Sequence, residues 1–293
     1  MRDILGSHPD VAMFPAELPL WRVLALDFAG QDPRRREVQE RLVGAIVTHP
    51  RMRQAGVALD GQAILDALAS EGVSSLGMIF AQAMRQYARQ AGRPRWGVKD
   101  PLSEFQADRI FAELPRARMV HMLRDPRDIV TSQRGMWGPR AQHIVSTIDS
   151  WRRSAALARR QMRARPGAYV AVRYEDLVAD PAGVVRQVCD VVGLAYRPDM
   201  LEMAARPPWW VISSDPALRS RRDIFAEAVG RHLRQLARAD SCFIQLRAGR
   251  ELERWGYPSR PIPLTPGDRG RVALRFAQEA AWRVVRRLSR QPR

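Results

Sequence analysis

Lys99 and Arg124 stand in matching settings. Each ends a short apolar run, Trp96-Gly97-Val98 before the first and Met119 to Leu123 before the second, and each is followed by Asp-Pro. The chain has 48 lysine and arginine residues, and Lys99 is the sole lysine among them. A sequence that otherwise supplies positive charge as arginine therefore places an ammonium at this one point. An ammonium is a compact charge on a flexible stem, and it suits a moving or developing negative charge better than a rigid guanidinium fork does. The Asp-Pro pairs read as helix starts, with Asp at the N-cap and Pro in the first turn. Helix N-termini offer free N–H groups and a positive dipole end to an anion. The pattern predicts a site for a multiply charged anion, held by Lys99, Arg124 and a helix start.

The elements that must position these groups follow from the same stretch. Short apolar runs bounded by turn signals read as buried strands of a parallel sheet. Ser103-x-x-Gln106 reads as a capping box for a helix through about Leu114, and Pro126 opens another helix that passes Ser132. Strand, helix, strand, helix puts a cation at the carboxyl end of each strand, the edge where open α/β sheets bind ligands. Further strands are expected at Val11 to Phe14 and Ala168 to Val172. Helices are expected over about 33–47, 60–70, 74–90, 141–165 and 181–192, the last stopped by Gly193, and through most of 225–255.

The chain is 293 residues long, enough for one large α/β domain or two small ones. We read residues 1–258 as one α/β domain. Residues 259–293 read as a Pro-containing linker and a basic amphipathic helix over about Asp268 to Leu288. That helix sets Leu274, Ala277, Ala281, Val284, Val285 and Leu288 toward one side, a pattern that permits peripheral contact with anionic lipid. Packing of the same face on the domain is the other reading.

The net charge is +17 and the pI near 11.3. The arginines are scattered rather than clustered, which argues for a compositional habit and against a nucleic-acid partner. Two cysteines, Cys189 and Cys242, make no disulfide framework and fit a cytoplasmic setting. No apolar run reaches the length of a membrane span. His8, His121, His143 and His232 lack metal-ligand spacing, so no metal is expected.

The run Arg124-Asp-Pro-Arg-Asp-Ile-Val-Thr-Ser132 resembles the 3′-phosphate-binding segment of sulfotransferases that use 3′-phosphoadenosine 5′-phosphosulfate (PAPS). Four other segments are similar to that family: Ser7-His-Pro-Asp to Glu17, Trp96-Gly-Val-Lys-Asp-Pro101, Arg173-Tyr-Glu-Asp-Leu177, and Val229-Gly-Arg231 ahead of Trp255-Gly-Tyr257. Their order resembles the bacterial branch related to protein-tyrosine and carbohydrate sulfotransferases.

The resemblance implies a P-loop-like parallel sheet with helices on both faces, and transfer of a sulfuryl group from PAPS to a hydroxyl or amine. The acceptor would be a small molecule, carbohydrate or peptide. Position by position, it implies that Glu17 is the base and that Lys99 neutralises the bridging oxygen and the departing phosphate. Arg124 and Ser132 would hold the 3′-phosphate and Tyr174 the adenosine. Ser213 and Arg231 are further cofactor contacts. Asp125 and Asp128 read as caps, Arg127 as a solvated charge, and Arg134 as an extra phosphate contact. Trp209 and Trp210 could line an acceptor pocket. His8 and His143 stand in reserve for the base.

One departure stands beside these matches. The family's Gly-Thr-Thr-type phosphosulfate loop and its strand precede the His-Pro-Asp turn, and Met1 falls inside the helix expected after that loop. The sequence thus reads as lacking the N-terminal strand and phosphate loop, either through a start assigned too late or through true shortening. The intact remaining segments favour the former. Alternatives to an active transferase are a catalytically impaired nucleotide-binding homologue and, further off, a basic nucleic-acid or membrane-surface protein. A kinase-like reading is disfavoured because no Walker-type Lys-Ser/Thr segment is present.

Overall fold

The computed structural model of the chain describes residues 1–73, 75–137, 144–202 and 226–288. In chain order its main elements are α1 (Arg2–Gly6), β1 (Val11–Glu17), α2 (Leu20–Asp27), α3 (Arg36–Val47), α4 (Pro50–Gln54), α5 (Gly61–Glu71), α6 (Leu76–Gln90), β2 (Arg95–Lys99) and α7 (Ala107–Glu113). Then come β3 (Met119–Leu123), α8 (Pro126–Trp137), α9 (Ile144–Ala164), β4 (Tyr169–Arg173), α10 (Tyr174–Ala179), α11 (Pro181–Val192), α12 (His232–Gln235), α13 (Arg238–Arg254) and α14 (Pro266–Leu288). The class is α/β, with parallel strands flanked by helices, as expected. β1 pairs with β2, and β3 with β4. The chain divides into two compact units: Met1–His121 with Gln161–Val170 and Asp180–Asp223, and Met122–Arg160 with Ala171–Ala179 and Ile224–Arg293.

In the first unit α6 lays its apolar face into a core with β1, α2, α3 and α5. Phe14, Leu18, Leu42, Ile46, Ile64, Ile79, Phe80 and Met84 are all buried there. Phe80 meets Trp21 and Trp96 edge-on, with ring centroids 6.1 and 5.5 Å apart, the geometry that aromatic quadrupoles favour. Caps set several helix starts: Asp60 accepts from Ala63 N at 3.0 Å and Asp180 from Gly183 N at 2.9 Å. Gly193 ends α11 at φ 69°, the left-handed cap expected from sequence.

The parallel register of β1 and β2 decides where chemistry can occur. Val11, Ala12 and Met13 face Arg95, Trp96 and Gly97, but the next pair is Glu17 with Lys99. Four residues of β1 therefore cover two of β2. A regular continuation would set Lys99 opposite Pro15, which has no N–H to give a ladder. The strand bulges there instead and brings Glu17 to the end of β2. The sequence pattern stops this strand at Phe14 and leaves Glu17 outside it; the structure carries the strand through Glu17. A Cβ on Gly97 would lie 2.2 Å from Met13 Sδ, so a larger residue there would have to displace the flexible end of that methionine.

Other local readings are corrected. Ser103–Gln106 is a 3-10 turn without a side-chain cap, entered from Leu102 at φ 69°, and the α-helix begins only at Ala107. The left-handed Leu102 reverses the chain just where the capping box needed an extended approach. The short helices α2 and α4 carry no clear signal in the sequence. α4 is set by Pro50 in its first turn and by His49, which accepts from Arg51 N at 3.2 Å.

Candidate functional site

Glu17 and Lys99, the two residues singled out for catalysis, meet in the first unit. Lys99 Nζ lies 2.5 Å from Glu17 Oε1. The side chains are 50% and 34% exposed, so solvent and small solutes reach both. The acid next to Lys99 in sequence is Asp100. That carboxylate is engaged elsewhere: Asp100 Oδ2 accepts from Trp21 N at 3.2 Å, in the first turn of α2. Burial pushes the Asp100 pKa up to about 7, the Trp21 N–H opposes the shift, and the charges of Glu104 and Glu17 add to it. His8, the reserve candidate for the base, is 2% exposed and has both ring nitrogens engaged. Its Nδ1 accepts from Asp10 N, so the Nε2–H donates to Ala195 O at 3.0 Å. His8 is therefore a structural residue.

Arg124, Tyr174, Ser132 and Arg231 belong to the second unit. Arg124 directly follows β3; its Nη2 donates to Ala228 O, and its Cζ lies 5.2 Å from the centre of the Tyr174 ring. Trp151 Nε1 donates to the Arg124 carbonyl at 2.8 Å, which fixes the backbone as well. Among the described residues, Arg124 Nε is buried with no hydrogen-bond partner. An unpartnered buried donor on a guanidinium is costly to leave unmatched, and an anion oxygen would satisfy it. Ser132 sits half-buried on α8, its hydroxyl without a partner among the described residues. Arg231 precedes α12. Ser213, Trp209, Trp210 and His143 lie outside the described residues.

The charged residues around Arg124 form a clasp, where the sequence pattern reads only caps and a solvated charge. Arg127 is 4% exposed and forks onto Asp125, with Nε–Oδ1 2.9 Å and Nη2–Oδ2 2.6 Å. Its Nη1 donates to Gln245 and to Pro258 O. Asp125 also accepts from Arg127 N at 2.8 Å, so it does serve as a cap. Asp125 N donates to Glu175 Oε1 at 2.9 Å, and Tyr257 OH donates to Glu175 Oε2 at 3.0 Å. Arg173 lies over the Tyr257 ring. Three of the five recognised segments are thus tied to each other inside this unit.

The turn at Val229-Gly-Arg231 is tied in by Asp128. Its carboxylate accepts from Gly230 N at 2.7 Å, from His232 N at 2.8 Å and from His232 Nδ1 at 2.8 Å. It caps α12 rather than its own helix, and so holds the turn that carries Arg231. Burial opposes ionisation of Asp128, but these donors outweigh it and keep the carboxyl below the usual range. Arg134, expected as a phosphate contact, instead pairs with Asp240 at 2.8 Å. The signal missed in the sequence was pairing itself: Arg127 and Asp125 are two residues apart, and their closeness in sequence said nothing about burial. Among the described residues no cluster of potential metal ligands occurs, and no helix is long and apolar enough to cross a membrane.

The comparisons with known proteins agree with this architecture. A model of the sulfotransferase family matches residues 1–198. The chain belongs to the sulfotransferase family. Carbohydrate sulfotransferase 2 of Mus musculus is 35% identical to it over 95 residues, which cover 31% of this chain and 18% of that protein. The same enzyme of Homo sapiens is 34% identical over 95 residues, with the same shares. The match thus spans less than a fifth of these relatives' own length. The sulfotransferase domain from the Synechococcus PCC 7002 olefin synthase superposes with a TM-score of 0.54 at 19% identity, over 88% of this chain and 90% of that one, and supports the fold. Val229-Gly-Arg231 and Trp255-Gly-Tyr257 lie beyond the family match, so their part in the second unit rests on the contacts above.

Proposed function

We propose that this chain transfers a sulfuryl group from PAPS to a hydroxyl or amine of a small-molecule, carbohydrate or peptide acceptor. The observation that carries the proposal is the Glu17–Lys99 pair: a carboxylate and the ammonium of the chain's sole lysine, both accessible, side by side at the carboxyl ends of adjacent parallel strands. Group transfer from an anionic donor to a hydroxyl is served by these two groups. One accepts the acceptor's proton; the other stabilises charge that develops on the departing oxygen.

PAPS, when bound, supplies the sulfuryl group and leaves as adenosine 3′,5′-bisphosphate. The resemblance assigns the remainder of such a nucleotide to residues of the second unit. Arg124 offers a fixed guanidinium with one donor spare, Ser132 a hydroxyl, and Arg231 a second cation; Tyr174 offers a ring already engaged by Arg124. Ser213 stays in this reading as a cofactor contact on the strength of the resemblance alone. In the structure Lys99 neutralises Glu17. Glu17 Oε1 reaches an acceptor hydroxyl once Lys99 Nζ turns from it to the donor, so donor occupancy precedes acceptor deprotonation.

Titration calorimetry with adenosine 3′,5′-bisphosphate and with AMP tests the assignment. Arg124→Ala should weaken binding of the bisphosphate by about 1.5–3 kcal/mol, the range for a hydrogen bond to a charged group, and leave AMP nearly unchanged. Equal losses for the two nucleotides would remove Arg124 from the 3′-phosphate.

A further inference from the structure

α14 packs with its charged side inward. Its only acids, Asp268 and Glu279, are 8% and 5% exposed. Glu279 pairs with Arg247 of α13 and with its own Arg283, and Arg275 Nε lies 2.8 Å from Asp240 of α13. Phe276 meets Phe243 edge-on, at 5.1 Å between centroids. A reciprocal cap fixes the start of the helix: Thr265 Oγ1 donates to Asp268 Oδ2 at 2.8 Å and accepts from Asp268 N at 3.2 Å.

At about 100° per residue, the opposite face carries Ala273, Leu274, Ala277, Ala280, Ala281 and Val284. Leu274 and Val284 are 56% and 57% exposed. No charged side chain falls on that face between Gly270 and Val284. Arginines border it: Arg269 and Arg283 on one side and Arg271 on the other, the last two with side chains 53% and 70% exposed. The sequence pattern assigns this apolar side and leaves open whether the domain covers it. Among the described residues, the domain covers the other side.

We propose that the outward face of α14 binds an anionic lipid surface. An uncharged, apolar strip bordered by cations matches a bilayer interface, where the strip enters the acyl boundary and the arginines meet anionic headgroups. A second copy of the chain fits less well, since each copy carries +17 and would bring the same arginines together. Nucleic acid would meet the arginines but leave the apolar strip facing phosphates.

Substitution tests this better than deletion, because removing α14 would take Arg275 from Asp240 and Glu279 from Arg247. The full chain is sedimented with vesicles of phosphatidylcholine alone and of phosphatidylcholine mixed with phosphatidylserine. Binding is expected to the mixed vesicles only, and to weaken as salt is raised. Leu274→Gln with Val284→Gln should reduce it about tenfold or more; both side chains are exposed, and an unchanged circular dichroism spectrum shows that the fold is kept. Equal binding by the double variant and the parent, or no binding of the parent to mixed vesicles, overturns the proposal. So does lipid-free self-association that the double variant abolishes, which would give the face to a second copy.

Discussion

The ends of β2 and β3 each present a cation after a short apolar strand, and the structure treats the two in opposite ways. Lys99 is half exposed and pairs with the carboxylate of Glu17. Arg124 is fixed through a carbonyl acceptor, an aromatic ring and its own backbone carbonyl, yet among the described residues one of its donors has no partner. The neighbouring residues follow suit: the Asp-Pro after Arg124 leads into a buried clasp, whereas the Asp-Pro after Lys99 leads into a single capping contact. A flexible ammonium in an accessible ion pair can change partners, as a group acting on developing charge must. A guanidinium held in place can recognise a fixed anion but adapts little. The contrast favours chemistry at the looser end and recognition at the tighter one.

The largest effect expected from breaking this contrast is at the looser end. Glu17→Gln should keep nucleotide affinity and lose turnover by about 10²–10⁴-fold, the worth of a positioned base. Lys99→Arg should not restore full turnover where Lys99→Ala has lost it, because the fork cannot place one compact donor as an ammonium does. Single-turnover rates with phenolic acceptors of graded acidity check both, and the more acidic phenols should depend less on Glu17. Near-parental rates for Glu17→Gln with every acceptor would move the base elsewhere.

At the tighter end the clasp should show up as stability. Asp125→Ala leaves the Arg127 guanidinium buried without its main partner, and breaking one half of a buried ion pair costs about 3–5 kcal/mol. Denaturant midpoints measure it. If the variant is as stable as the parent, the clasp adds nothing to the stability of this unit.

A further expected effect concerns the Asp-Pro aspartate beside Lys99. Burial raises the Asp100 pKa from 3.8 to about 7, so the folded chain holds that proton more tightly than the unfolded chain does. Its contribution to stability is therefore full below the ordinary pKa and is lost as pH rises through about 7. Asp100→Asn should remove that decline and flatten the melting temperature across the interval. Asp128 acts with the opposite sign: its depressed pKa adds stability that is lost as the solution is made acid.

Much of this chain is legible without coordinates. The strands ending at Lys99 and Arg124, the helix from Pro126, the stop at Gly193 and the long C-terminal helix are set by apolar runs and local breakers, which act through near neighbours. Glu17 and Lys99 are named together by resemblance. What spacing misses, it misses for physical reasons. Arg127 reads as a solvated charge because its burial depends on Gln245 and Pro258, more than a hundred residues away. Asp128 reads as a cap for its own helix because its three donors lie at Gly230 and His232. The start of the helix after Pro101 is displaced by one residue's backbone, Leu102, that no capping signal announces.

By itself, then, the sequence determined which residues carry charge, where most of the strands and longer helices run, and that α14 has an apolar side. Those are properties of residue type and period. Only the tertiary structure decided which side of α14 is covered, because the carboxylates and arginines of α13 claimed the charged side first. Only it decided that Glu17 rather than Pro15 stands opposite Lys99. That outcome needed two strands in register and a proline unable to donate to the ladder, and such a condition exists only once the strands have met.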